Sequence, residues 1–174
     1  MRNVGALKTT MPYLPTEEEK LNGLDNVYYE ILQLLGTMGP KIGDPTLDNA
    51  VLESRLVHVR TLLDFFARLH HEQDDVLAAH YGFPLSPIVL DPIFVDRLNK
   101  DLAHLTYSRT QRTMSMKGWP VAKVVVPTLS RCKEFIDYIL TERSVFGQVG
   151  PTDWRVLALG IQAFLDSRLA RQGV

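Results

Sequence analysis

The sequence predicts an all-α, single-domain bundle of four to five main helices, with one short extended segment near residues 119–126. Three observations lead there. Apolar residues recur at spacings of three and four along most of the chain, which is the period of a helix with one buried face. Helix start and stop signals bracket those stretches. The chain has 174 residues, 45% hydrophobic and 22% charged, which suits one soluble domain with a sizeable core and excludes disordered or fibrous classes.

Residues 1–14 show no period and contain Pro12, so they read as a loose arm. Thr16 followed by Glu19 is a capping-box pattern, and Glu17 and Glu18 place negative charge where a helix dipole favours it. A first helix therefore starts here. It carries Leu24, Val27, Tyr28, Ile31, Leu34 and Leu35 at spacings of three and four and ends near Met38, interrupted by Gly36, Gly39 and Pro40. Asp44-Pro45-Thr46 signals a turn, and the very broad apolar face from Leu47 to Leu69 predicts a central, mostly buried helix. Asp74 and Asp75 read as caps of a short helix, Val76 to Tyr81, ended by Gly82. Asp91-Pro92 opens the next helix, with the period running through about Tyr107. The stretch 108–127, with Gly118, Pro120 and the β-branched run Val124-Val125-Val126, reads as a long loop holding the extended piece. A further helix from Pro127 or Ser130 to Phe146, and a last one capped by Asp153 and running past Leu165, complete the bundle.

Charge narrows the classes of function. Nineteen Lys and Arg against twenty Asp and Glu give a net charge of −1, so no whole-chain field steers the protein toward nucleic acid or membrane. No apolar run reaches the roughly 20 residues of a membrane helix, and no secretory signal is visible at the start. The lone Cys132 forms no internal disulfide. Together these predict a cytoplasmic protein without membrane partners.

The chemistry concentrates on one helix. Arg97 and His104 lie seven residues apart, two turns along nearly one face, with Asp101 between them. A guanidinium grips phosphate through two hydrogen bonds, and an imidazole moves protons near neutral pH. Such a pair can run phosphodiester cleavage without a metal: the cation neutralises the phosphate while the histidine acts as acid or base. Tyr107 shares the face and can donate to the same phosphate. The structural alternative is a surface pair of Arg97 with Asp101 and a His104 hydrogen-bonded inside the bundle.

The eleven residues Arg97-Leu98-Asn99-Lys100-Asp101-Leu102-Ala103-His104-Leu105-Thr106-Tyr107 resemble the motif of the HEPN superfamily, an arginine and a histidine separated by four to six residues on a late helix of a small bundle. Leu98 stands where that motif usually has a polar residue, and Tyr107 follows the histidine by three places, where one branch has a tyrosine two places after it. Asn99 and Tyr107 would be displaced counterparts. The resemblance implies a homodimeric, metal-independent ribonuclease of a defence or toxin–antitoxin system, with Arg97 and His104 as its catalytic pair and no cofactor. It equally fits a relative that keeps only the fold.

From Leu102 to Lys133 the charged residues are all basic: Arg109, Arg112, Lys117, Lys123, Arg131 and Lys133. With Trp119 as a stacking face, Arg109, Arg112 and Lys117 are candidate contacts to an RNA backbone. The alternative is a solvated stretch whose charges pair with acids. His58, His70, His71 and His80 with nearby acids lack the spacing of helical ligand pairs, so no metal site is predicted. Two functions follow from the residues: an RNA-directed protein centred on Arg97 and His104, or a non-enzymatic helical module that docks a partner protein.

Overall fold

Short-range signals set where the helices begin. The computed structural model describes residues 13–67, 74–100, 102, 118–141 and 154–170. Among them the order is α1 (Glu17–Gly36), α2 (Pro45–Phe65), a 3-10 turn (Ala78–Tyr81), α3 (Pro92–Lys100), α4 (Val121–Thr141) and α5 (Trp154–Ala170), with no strand. The architecture is thus the all-α bundle that the periodicity predicts.

At α1 the Thr16 hydroxyl accepts from the Glu19 amide at 3.2 Å, and the Glu19 carboxylate accepts from the Thr16 amide at 2.7 Å. Tyr13 adds a hydroxyl bond to the same carboxylate at 2.6 Å. That bond, followed by those from Thr16, holds the Glu19 carboxyl below its usual range. Its stabilising contribution is therefore present above the ordinary carboxylate pKa and is lost as the pH falls through the lowered value. Asp44 caps α2 by accepting from the Thr46 and Leu47 amides at 2.8 and 3.0 Å, with Pro45 in the first turn. Asp91 accepts from the Ile93 amide at 3.0 Å at the start of α3. The remainder of that helix toward Tyr107, and the Asp153 cap of α5, lie outside the described residues.

Four helices close a ring: α1 packs on α2, α2 on α4, α4 on α5 and α5 on α1, while α3 leans on α2. The core comes from Leu24, Val27, Ile31 and Leu34 of α1, Leu56, Val59, Leu62 and Phe65 of α2, and Trp154, Leu157 and Ile161 of α5. The largest share comes from α4, where Val124, Val125, Leu129, Cys132, Phe135, Ile136 and Ile139 are all fully buried.

Three expectations are corrected here. Residues 121–126 are not extended but form the first turns of α4. Three valines and Pro127 disfavour a helix locally, since β-branching restricts rotamers and proline lacks an amide donor. Burial of Val124 and Val125 outweighs that local preference. The same shift means that α4, not α2, is the central helix. The broad face of α2 is divided, its later residues entering the core while Val51 and Leu52 border a surface cavity. The Asp74-Asp75 pair does not cap the 3-10 turn either: Leu77 precedes it with no side-chain cap bond. Gly82 ends the turn at φ +75°, a left-handed backbone that glycine adopts at little cost.

Two positions, Gly23 and Pro127, generate predictions. A Cβ at Gly23 would lie 2.6 Å from the Tyr81 hydroxyl, and that hydroxyl is held by the Lys20 carbonyl at 2.9 Å. Gly23→Ala is expected to destabilise the fold by about 1–3 kcal/mol, read as a lower urea midpoint at unchanged slope. Pro127→Ala restores a donor inside α4 and is expected to raise stability by about 1–2 kcal/mol in the same assay, after the greater freedom of the unfolded chain is subtracted.

Candidate functional site

α3 turns Arg97 and Leu98 toward the bundle, leaving Asn99 and Lys100 outside. Arg97 is only 5% exposed. Its guanidinium lies over the Trp119 ring at 4.0 Å from the centroid, and its Nη1 donates to the Gly118 carbonyl at 3.0 Å. A flat, weakly hydrated guanidinium suits this position because its face can stack on an indole while its edge still donates hydrogen bonds. Arg97 and Trp119 entered the sequence analysis as separate candidates, and the fold puts them in contact. Asn99 is exposed on the outer side of α3, next to the Lys100–Asp96 pair at 2.7 Å. His104, Tyr107, Arg109, Arg112 and Lys117 lie outside the described residues.

The described remainder of the basic stretch behaves unevenly. Arg131 stacks on Phe83 at 4.2 Å, donates to the Pro84 carbonyl at 2.7 Å and pairs with Glu134, so it ties the segment after the 3-10 turn to α4. Lys133 pairs with Asp137 at 2.7 Å. Lys123 is exposed on the first turn of α4. Two of the three are therefore engaged with carboxylates of their own helix, and such exposed pairs contribute little stability.

Elsewhere, Glu30 of α1 meets His58 of α2, its carboxylate 2.7 Å from Nδ1, with Tyr29 edge-on to the imidazole. Glu30 also borders a surface cavity of about 400 Å³ that Asp64, Asp74 and Asp75 share. His80 accepts from the Leu77 amide at 3.3 Å through Nδ1. His70 and His71 lie outside the described residues, and among those described no three His, Cys, Asp or Glu side chains converge on a metal position. Cys132 is fully buried, and burial pushes its thiol pKa well up, so it packs as a small apolar residue and offers no nucleophile.

The sequence analysis missed a cation, Arg55. It is half-buried on α2 and donates through Nη2 to the Thr37 carbonyl at the end of α1. Nothing in the local pattern marks it, because the carbonyl that it reaches is eighteen residues away.

Compared with known proteins, the chain matches no family model, no curated protein and no solved structure. No described helix is long and apolar enough to cross a membrane.

The Arg97–Trp119 contact predicts a measurable coupling. Arg97→Ala and Trp119→Ala are each expected to destabilise the protein, and the double variant to lose about 1–2 kcal/mol less than the sum of the two. Urea denaturation of the four proteins reads the difference.

Proposed function

We propose that the protein acts on RNA as a HEPN-like ribonuclease, with His104 as the proton-transfer group and Arg97 as the cation of its site. The observation that carries this reading is the contact of Arg97 with Trp119. It joins the helix bearing the motif to the Trp-bearing end of the basic stretch, so a phosphate-seeking group and a base-stacking group share one neighbourhood. The all-helical bundle agrees with the layout that the motif resemblance implies. By the same resemblance the active form is a homodimer, its two motifs facing each other, and the lone Cys132 suits a cytoplasmic setting.

A second reading, the non-enzymatic docking module, draws on two specific observations. Arg97 at 5% exposure presents its guanidinium to an indole and a carbonyl, not to solvent. Val156, Leu159 and Ala163 of α5 form an exposed apolar row at helical spacing, the kind of surface that a partner helix covers.

One assay separates the two. The full chain is incubated with labelled single-stranded and hairpin RNAs in the presence of a chelator, beside a His104→Ala variant of matched melting temperature. The ribonuclease reading expects cleavage by the wild type and a loss of about 10²–10⁴-fold in the variant. Equal inactivity of both across the RNA panel overturns it in favour of the module.

A further inference from the structure

Trp119 has a second neighbourhood besides Arg97. It borders a cavity of about 300 Å³ formed where the connection between α1 and α2 meets α2 and the start of α4. Lys41 and Ile42 come from the connection, Leu52 and Arg55 from α2, and Trp119 and Val121 from the approach to α4. The volume is at the lower end of the range of small-molecule sites, roughly 300–1,000 Å³.

The connecting wall is tied down. The Asp48 carboxylate accepts from the Ile42 amide at 2.7 Å and from the Gly43 amide at 3.3 Å, and Gly43 sits at φ +92°. Asp48 is the sole acid among the lining residues, and both of its oxygens are engaged by backbone donors. Opposed to it are two cations without a carboxylate partner among the described residues. Lys41 is exposed on the connection and makes no ion pair among the described residues. Arg55 donates to the Thr37 carbonyl, while its Nε is buried and has no hydrogen-bond partner among the described residues. Burial, and secondarily the like charge of Arg168, press the Arg55 pKa down. A half-buried guanidinium with no counter-charge is costly to keep, and an anion in the cavity would compensate it. Of the remaining walls Asn49 is polar while Trp119, Ile42 and Leu52 are apolar, and the indole supplies a flat surface.

We propose that this cavity binds a free nucleotide, with its phosphate on Arg55 and Lys41 and its planar base against Trp119. Two cations facing one pocket suit the doubly charged phosphate of a monoester better than a single carboxylate, and a flat aromatic wall selects a ring over an aliphatic chain. The site shares Trp119 with the RNA reading but uses neither His104 nor Arg97, and no bond is made or broken in it.

Calorimetric titration of the full chain with adenosine monophosphate, adenosine and inorganic phosphate tests the proposal. The monophosphate is expected to bind saturably, with adenosine and phosphate each at least about tenfold weaker, since each loses one half of the contacts. Lys41→Glu reverses a charge on an exposed residue, so its melting temperature should stay unchanged while affinity falls about tenfold or more. Arg55→Gln should abolish binding. Because Arg55 also holds the end of α1, that variant counts only if it melts as the wild type does, and Lys41→Glu carries the test by itself otherwise. Absence of saturable heat with the monophosphate overturns the proposal. So does undiminished affinity in Lys41→Glu, or phosphate binding as tightly as the nucleotide. None of these readings involves RNA cleavage, so this site can fail while the ribonuclease stands, and the reverse.

Discussion

The ring of Phe135 lies 5.0 Å from Phe65, 5.8 Å from Tyr81 and 5.4 Å from Phe83 between centroids, each pair edge-to-face. One side chain of α4 thereby ties together α2, the 3-10 turn and the segment that follows it. Each such pair adds about 0.5–1.5 kcal/mol beyond the area that it buries. The interaction is also a constraint on α4, because Phe135 reaches these rings only if the eight fully buried residues of its helix, Thr128 among them, face inward in register. That register runs back through Val125 and Val124 to the first turn. It is why a stretch with three β-branched residues and a proline is helical, and it sets the position at which Trp119 precedes the helix.

From that position follows the division of the cations, which decides what this surface can recognise. Arg97 and Arg131 do the same kind of work at different places: each lays a guanidinium on an aromatic ring and donates to a backbone carbonyl, thereby fastening an irregular segment to a helix. Their charge is directed inward. Lys133 is engaged by Asp137. Arg55 and Lys41 differ, since neither meets a carboxylate among the described residues and both line the same cavity. A count of basic residues along the chain treats all of these alike, whereas recognition depends on which of them still lacks a counter-charge.

Much of the fold was legible because its signals are short-range. The Thr16–Glu19 capping box, the Asp91-Pro92 helix start and the Gly82 stop each need only a few neighbouring residues, and each forms as read, while Asp44, read only as part of a turn, caps α2. The buried positions of α1 follow the three-and-four spacing closely. The candidate site was legible only in its residue types. Arg97 could be named from its helix, but nothing in the helix tells whether its guanidinium meets solvent or an indole twenty-two residues further on. Arg55 and Lys41 could not be singled out at all, because their shared cavity exists only once three separate segments have come together.

By itself the sequence determined the helical class, the starts of α1 and α3 and the inward face of α1, because period and capping are properties of neighbouring residues. Tertiary structure alone decided that residues 121–126 continue a helix, that Arg97 is a buried clamp on Trp119 and that two cations are left facing one cavity. Each of those outcomes depends on burial and on charges brought near from distant parts of the chain. Their energies exceed the local preferences that a sequence pattern records.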